Sequence, residues 1–294
     1  MIHNQIVFSR RLLLGAGAAT LLSSCSSAVH AGSGTAQDMV RGGAARLTGG
    51  AGTAPTGGAS AAAPAGAPTP PVHVPAVPIG AVPSKPDYYV HAGPGTMALT
   101  FDDGPSPLYT GRVLALLRQY GVTATFFMIG SNIQKYPDVL RQVLAEGHQV
   151  GNHTWTHPDL GTLSATEVRD EIERTSDIIA QTGRTGQPTL FRAPGGFFTR
   201  ASMRVCATLG LQPVSWSVDP RDWSNPGVHT ITDRVLAHAH SGSIVLEHDG
   251  CVDSGAHPPL SSPENRTQTV EALADYLPRL LDAGYRFTTV GPTT

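Results

Sequence analysis

The sequence predicts an α/β fold: a distorted, incomplete (β/α) barrel with about seven parallel strands in the C-terminal two thirds of the 294 residues. From about Pro86 onward, apolar runs with strand character alternate with amphipathic segments of helical period. This order is typical of parallel strands joined by right-handed helical crossovers. No glycine-rich phosphate-binding fingerprint follows the first strand, which favours an incomplete barrel over an open doubly wound sheet.

The predicted strands and helix ends follow from local patterns. Seven runs have strand character, at residues 97–101, 123–129, 148–151, 189–191, 214–218, 243–246 and 285–290. Ser164 and Glu167 have the spacing of a capping box at a helix N-terminus. Glycines lie where C-terminal helix caps are expected, at Gly121, Gly147, Gly183, Gly210 and Gly284.

Residues 1–31 are interpreted as an export signal of the twin-arginine or lipoprotein type. Arg10 and Arg11 precede an apolar run at residues 12–22, which is about half of the roughly 20 residues that a membrane-spanning helix needs. The segment ending at Cys25 resembles a lipobox, whose cysteine becomes diacylated and N-terminal. We expect a lipoprotein anchored to the cell membrane and facing the cell wall.

Ordinary cleavage after Ala31 is the alternative, and it would remove Cys25 and release a soluble secreted protein. Both readings place the protein outside the cytoplasm. Residues 32–85 are dominated by Ala, Gly, Pro, Ser and Thr and contain no aromatic residue, so they cannot bury enough apolar surface to offset the entropy of ordering. We interpret them as a disordered linker and residues 86–294 as the catalytic domain.

Charge and cysteine usage limit the partners. With 20 Lys and Arg against 22 Asp and Glu, the net charge of −2 is too balanced to favour nucleic acid as a partner. The membrane is expected to be contacted only through the lipid anchor, and the protein is expected to be a monomer. Cys206 and Cys251 form an even pair in a compartment that permits disulfides, and they either form a bridge or serve as small packing residues.

Several polar clusters lie at or just beyond the C-terminal ends of the predicted strands. These ends converge on one face of a (β/α) barrel, where such folds place their active sites. Residues far apart in the sequence are therefore expected to meet. The clusters are Asp102 with Asp103, His153 with His157, Arg192, Asp219 with Asp222, and His248.

Asp102 and Asp103 end the first strand and are followed by Gly104 and Pro105. Successive strand residues point to opposite sides, so one carboxylate can bind a cation while the other faces a water molecule or an arginine. The alternative is that Asp-Gly-Pro is a simple turn after the strand.

The spacing of His153 and His157 predicts two imidazoles on one side of a helical turn, a common arrangement for a divalent metal. Histidines in such a pair are also often structural. Together with Asp103, the pair becomes a set of two imidazoles and one carboxylate that leaves positions open for water and substrate.

The remaining clusters suggest acid–base chemistry. Arg192 is followed by Pro194, Gly195 and Gly196, and its guanidinium would favour the ionised form of Asp102; a surface salt bridge is the alternative. Asp222 could hold and charge His248 as a proton donor, although a single histidine at a strand end is more often structural.

Taken together, these clusters resemble the motifs of the polysaccharide deacetylase family, carbohydrate esterase family four, over about residues 97–290. The catalytic module of that family is called the NodB homology domain. The resemblance implies a NodB-like fold. It assigns the general base to Asp102, the metal to Asp103, His153 and His157, the positioning of Asp102 to Arg192, and the general acid to His248 supported by Asp222.

The resemblance also makes Trp223 and Leu246 the lining of an acetyl pocket. Gly195 departs from the family, which often has an aromatic residue at this position, so one wall of the substrate groove is expected to be missing. The backbone N–H of Gly195 can still donate to an oxyanion. The metal would be zinc by default, with cobalt, nickel or manganese as alternatives.

The expected activity is metal-dependent hydrolysis of N-acetyl groups on a cell-wall or related polysaccharide. Peptidoglycan N-acetylglucosamine is the leading substrate, followed by chitin-like oligosaccharides. An acetylxylan esterase would use the same site, since the reacting carbonyl is nearly identical. The alternative of a different class is a non-catalytic envelope lipoprotein that binds glycans.

Overall fold

The computed structural model describes residues 85–252, 258–259, 262 and 264–291. The expected export signal, its lipidation candidate Cys25 and the expected linker up to residue 84 lie outside the described residues. Among the described residues, no helix has both the length and the apolar character that a membrane span requires.

Seven parallel strands form one sheet, as the sequence predicts. Their spatial order is β5-β4-β3-β2-β1-β6, and β7 pairs with the beginning of β1. No ladder joins β5 to β6 in the described sheet, although an isolated bridge links Val218 to Val245. The barrel is therefore incomplete. The strands are β1 Thr96–Asp102, β2 Thr125–Met128, β3 Gln149–Asn152, β4 Leu190–Phe191, β5 Gln212–Pro213, β6 Ile244–His248 and β7 Arg286–Phe287.

In the part of the chain that the structure describes, seven α-helices occupy most of the connections between the strands. They are α1 Thr110–Tyr120, α2 Gly130–Lys135, α3 Pro137–Ala145, α4 Ala165–Gly183, α5 Arg200–Leu209, α6 Val228–His238 and α7 Thr267–Asp282. Two short 3₁₀ turns, Pro194–Gly196 and Asp222–Ser224, lie in the loops after β4 and β5.

Alternation along β1 positions the site. Met97, Leu99 and Phe101 pack into the core shared with the outer helices. Ala98 lies in the inner cluster of the barrel, and Asp102 shares its side because strand residues alternate. Asp102 therefore points inward at the C-terminal end of the strand.

Two predicted strands are wrong in extent. The fifth strand was expected at residues 214–218, but β5 comprises only Gln212–Pro213. Beyond Pro213 the segment forms only isolated bridges, of Val214 with Asp87 and of Val218 with Val245, and the carbonyl oxygens of Val214 and Ser215 accept hydrogen bonds from the Arg192 guanidinium. The seventh strand is shorter than expected because it pairs only with Thr96 and Met97 of β1. From Ala98 onward, β1 pairs with β6 instead.

The expected helix caps are mostly present. Ser164 and Glu167 form the capping box of α4, with each side chain accepting a hydrogen bond from the other's backbone N–H. At the end of α4, however, the left-handed cap is Arg184 and not Gly183. A Cβ at Gly183 would lie 2.6 Å from Leu144 Cδ1, so this glycine permits close packing of α4 on α3.

Cys206 follows the second of the two alternatives. No disulfide joins Cys206 and Cys251. Cys206 is fully buried in a core cluster with Phe191 and Leu211, and burial raises the pKa of its thiol to about 12. It is therefore a packing residue.

Candidate active site

A cavity of about 460 Å³ opens at the C-terminal ends of the strands. Two of its lining residues, Phe197 and Trp216, were not singled out from the sequence, and the other nine were: Asp102, Asp103, His153, His157, Gly195, Asp219, Trp223, Leu246 and His248. Arg192 and Asp222 do not line it but lie behind its wall, fully buried. The predicted convergence of the loops thus brings these side chains to one place.

The two adjacent carboxylates face the same cavity. Asp103 leaves the strand with φ of 70°, in the left-handed region. As a result, Asp103 Oδ1 lies 3.4 Å and Asp102 Oδ2 lies 3.6 Å from the same atom, His153 Nε2. The expectation that they point to opposite sides is wrong, because strand alternation stops where the backbone turns at Asp103.

Asp103, His153 and His157 form a cluster that suits a cation. Their ligand atoms lie within 4.8 Å of one another, and Asp103 Oδ1 is 3.3 Å from His157 Nε2. Donor atoms about 2.1 Å from a tetrahedral ion are roughly 3.4 Å apart. Asp103 Oδ1 is buried without a hydrogen-bond partner, and such an atom is costly unless a cation or a proton satisfies it.

The His153 ring is held with the correct nitrogen toward this cluster. Its Nδ1 lies 2.8 Å from the carbonyl oxygen of Arg192. A carbonyl only accepts hydrogen bonds, so Nδ1 carries a proton and Nε2, the nitrogen that faces the cluster, is the one that would bind a cation once it is deprotonated. The same strand end thus supplies Arg192 and fixes the tautomer of His153.

The pair His153 and His157 does not lie on a helix. The segment after β3 is a loop in which Thr154 and His157 have φ of 66° and 58°. The ring centroids are nevertheless 5.0 Å apart. The predicted helical turn is wrong, because spacing alone does not reveal left-handed residues, although the expected proximity of the imidazoles is present.

Charge in the cluster favours the ionised carboxylate. Burial by itself would raise the pKa of Asp103, but His157, His153 and His248 outweigh it and hold that pKa well below its ordinary value. Burial lowers the pKa of His157. A carboxylate and a neutral imidazole are the forms that bind a cation.

Arg192 holds Asp102 from inside the barrel. Its Nη1 donates to Asp102 Oδ1 at 2.7 Å and to Thr100 Oγ1 at 2.8 Å, while Nη2 donates to the carbonyl oxygen of Ser215 at 2.9 Å. The guanidinium carbon lies 4.1 Å from the centroid of the Phe127 ring. The alternative of a surface salt bridge is wrong, because the side chain is fully buried.

His248 is held by Asp222. Its Nδ1 lies 2.8 Å from Asp222 Oδ1, and its backbone N–H donates to Asp222 Oδ2. Burial by itself would lower the pKa of His248, but Asp222 outweighs it and raises this pKa to about 9. Asp219 also lines the cavity, but its Oδ1 accepts from the N–H of Arg221, so Asp222 is the carboxylate that charges His248.

An aromatic ring lies next to Gly195, where one wall of the substrate groove was expected to be missing. A Cβ at Gly195 would lie 2.9 Å from Cδ2 of Phe197, so the Phe197 ring covers the place beside this glycine. Leu246 is buried and Trp223 is partly exposed, with the Arg221 guanidinium 5.0 Å from its ring. Phe197 thus lies beside the position at which the family often has an aromatic residue.

Sequence reasoning missed several residues around the site. Thr269 donates to Asp222 Oδ2, and Asn132 donates to the carbonyl oxygens of Asp103 and Cys251. Both lie in helices without a motif that would reveal them. Asp249 accepts a hydrogen bond from Thr110, and burial raises its pKa to about 7; its position next to His248 was the only available signal.

Comparisons with known proteins agree with this site. A family model described as polysaccharide deacetylase matches residues 90–214. A peptidoglycan-N-acetylglucosamine deacetylase from Bacillus cereus is 45% identical over 196 residues, which cover 66% of this chain and 85% of that relative. The chain belongs to the polysaccharide deacetylase family.

Another deacetylase sequence and a solved deacetylase structure are also similar to this chain. A chitooligosaccharide deacetylase from Bradyrhizobium sp. (strain ANU 289) is 43% identical over 194 residues, 66% of this chain and 88% of that relative. A crystal structure of a peptidoglycan N-acetylglucosamine deacetylase in complex with 4-naphthalen-1-yl-N-oxidanyl-benzamide has a TM-score of 0.62 and 32% identity, covering 69% of this chain and 89% of that one. The predicted family and the incomplete barrel are confirmed.

The polysaccharide deacetylase model ends at residue 214, before Asp222 and His248. The structure brings this pair into the cavity that holds the cluster of Asp103 and the two imidazoles. The chain is thus a polysaccharide deacetylase, a hydrolase whose Asp-His-His cluster suits a divalent metal.

Proposed function

We propose that the protein removes N-acetyl groups from N-acetylglucosamine units of peptidoglycan or of chitin-like oligosaccharides by hydrolysis. The observation that carries this proposal is one cavity with three parts: a carboxylate held by a buried arginine, a cluster suited to a cation, and an imidazole charged by a buried aspartate. Amide hydrolysis needs a base for water, stabilisation of an oxyanion and an acid for the leaving nitrogen.

Asp103, His153 and His157 would hold the metal, and zinc is the ion we propose because two imidazoles and a carboxylate suit it. When bound, a divalent cation supplies Lewis-acid polarisation of the acetyl carbonyl and lowers the pKa of water. Asp103 Oδ1, which is buried without a hydrogen-bond partner, supports this choice of ligand.

Asp102 acts as the general base. Arg192 occupies Asp102 Oδ1, which leaves Oδ2, the oxygen nearer His153, to take a proton from the attacking water. As the water oxygen bonds to the carbonyl carbon, negative charge develops on the carbonyl oxygen. The backbone N–H of Gly195, at the edge of the cavity, is the protein donor that we assign to this oxyanion.

His248 acts as the general acid. Its Nδ1 is engaged with Asp222, so Nε2 is the nitrogen that can give a proton to the sugar nitrogen as the carbon–nitrogen bond breaks. The charge of Asp222 keeps the imidazole protonated near neutral pH. Leu246 and Trp223 would enclose the acetyl methyl group, and the products are acetate and a free amine.

The position of the protein in the cell is also a proposal. Residues 1–31 support export, and Cys25 supports a lipid anchor in the cell membrane. The linker at residues 32–85 would hold the catalytic domain, residues 86–294, near the cell wall as a monomer. Peptidoglycan is the polymer within reach of such an anchored domain, and the relative from Bacillus cereus is named for that substrate.

Acetate release from peptidoglycan, chitin oligosaccharides and acetylxylan tests the proposal. The zinc-loaded full chain is expected to release acetate from the first two and little from acetylxylan. Release from acetylxylan alone would favour an O-deacetylase. No release from any acetylated glycan would refute the enzymatic role and favour a glycan-binding protein.

A further inference from the structure

The loop that joins His153 to His157, here called the histidine loop, belongs to no helix or strand. In its middle, the backbone N–H groups of Trp155 and Thr156 both donate to Oε2 of Glu171, each at 2.8 Å. Oε1 of the same carboxylate accepts from the Thr156 hydroxyl at 2.9 Å. Glu171 lies in α4, so one side chain from a separate helix holds this loop by three hydrogen bonds.

The backbone conformation that this carboxylate holds is an unusual one. Thr154 and His157 have φ of 66° and 58°, in the left-handed region that residues other than glycine rarely adopt. Such residues persist where the surrounding structure fixes them. The N–H groups of Thr154 and His157 find acceptors close in sequence, at Asn152 Oδ1 and Thr154 Oγ1. Glu171 is therefore the acceptor that joins the N–H groups in the middle of the loop to α4.

A second residue of α4 holds the side chain of Trp155. Arg174 follows Glu171 by three residues and so lies on the same face of the helix, and its guanidinium carbon is 3.5 Å from the centroid of the Trp155 ring. The ring also lies against Gly130, where a Cβ would overlap it. The Trp155 carbonyl oxygen accepts from the N–H of Ser131 at 3.0 Å. Backbone and ring of Trp155 are thus both fixed between α2 and α4.

The two imidazoles depend on this loop to different extents. His153 is placed without it, because its N–H donates to the carbonyl oxygen of Met128 and its Nδ1 lies 2.8 Å from that of Arg192. The N–H of His157 donates to Thr154 Oγ1 inside the loop, and its side chain is 26% exposed. The position of the His157 ring therefore follows from the path of the loop.

We propose that Glu171 is a positioning residue of the metal site, which holds the histidine loop so that His157 Nε2 stands beside Asp103 Oδ1. The inference rests on the metal role that the proposed function gives to this cluster. A carboxylate that accepts from two adjacent backbone N–H groups makes strong, charge-assisted hydrogen bonds. A ligand that is already held in place loses less freedom when a cation binds, so the affinity for the cation is higher.

Zinc affinity of the full chain, measured by competition with a chromophoric chelator, tests this role. Glu171→Ala should weaken zinc binding by roughly 10–100-fold. Glu171→Gln should restore most of the affinity, because its amide oxygen can accept from both N–H groups while its NH₂ group donates to the Thr156 hydroxyl. Glu173→Ala is the matched control on the same helix; it removes an ion pair with Arg169 and should leave the affinity unchanged.

A double-mutant cycle shows whether the effect passes through His157. In the His157→Ala background, Glu171→Ala should cause little further loss of zinc affinity. An equal loss in both backgrounds would show a general structural role and would overturn the inference. If Glu171→Ala does not fold, Glu171→Asp, which keeps the charge on a shorter side chain, takes its place in the cycle with the same expected results.

The zinc titrations also separate this inference from the proposed function. A wild-type chain that binds zinc no more tightly than His157→Ala would refute the metal site, and the positioning role with it. A wild-type chain that binds zinc through His157, with Glu171→Ala equal to it in affinity, would overturn only the positioning role.

Discussion

Replacing Asp222 by Asn tests the origin of the acid function. Asp222 is fully buried and bonds both the ring and the backbone of His248. It raises the pKa of His248 from 6.5 to about 9, which corresponds to roughly 3 kcal/mol in favour of the imidazolium. Asparagine has a similar shape without the charge, so this pKa should fall to about 6.5 or below.

The size of the effect should depend on pH. With a pKa of about 9, His248 is mostly protonated at pH 8, whereas with a pKa near 6.5 only about 3% is protonated there. The ratio of wild-type to Asp222→Asn turnover from protonation alone should therefore grow from near unity at about pH 6 to roughly thirtyfold at about pH 8. A cation at Asp103 would shift the pKa of His248 in the same direction in both proteins, so wild type and variant are compared at the same metal content.

Profiles of kcat against pH on a soluble oligosaccharide provide the assay, with NMR titration of His248 in the metal-free protein as an independent readout. The alkaline limb of the variant should move to lower pH by about 2.5 units. Two parallel profiles, with a ratio that does not vary with pH, would show that Asp222 acts on something other than the charge of His248.

Three further predictions concern the base, its arginine and stability. Asp102→Asn should lower kcat by roughly 10²–10⁴-fold while the fold and the metal content are kept, and retained turnover would contradict its role as base. Arg192→Lys should lower kcat, and it should lower the free energy of unfolding by about 3 kcal/mol. The reason is that an ammonium cannot bind Thr100, Asp102 and Ser215 together. Denaturant unfolding that shows wild-type stability would refute this. Because the pKa of His248 is raised in the folded state, its contribution to stability should be complete below about pH 6.5 and be lost as the pH rises through about 9. Unfolding of the metal-free protein should show that decline, and Asp222→Asn should lack it.

Much of the site could be predicted because a sheet of parallel strands brings together residues that are far apart in the sequence. Strand-like runs separated by helical segments place the ends of β1, β3 and β6 on one face. Any polar residue at such an end is then a candidate for the cavity. This is why Asp102, His153 and His248 could be expected to lie close together although they are far apart in the sequence.

Other features depend on contacts that no sequence pattern carries. The fifth strand ends at Pro213, and beyond it the Arg192 side chain donates to the carbonyl oxygens of Val214 and Ser215. His153 and His157 meet through left-handed residues in a loop, and period-based reasoning cannot reveal these. Phe197, two residues further along the chain, places its ring next to Gly195. Only the path of the backbone shows this.

The central claim is that Asp103, His153 and His157 bind one cation beside Asp102 and His248. X-ray absorption of the zinc-loaded full chain tests it directly. We expect one zinc per chain with two imidazole nitrogens and a carboxylate oxygen at about 2.0–2.2 Å, and loss of one imidazole from the spectrum of His157→Ala. A spectrum with sulfur ligands, or one that His157→Ala leaves unchanged, would contradict the account.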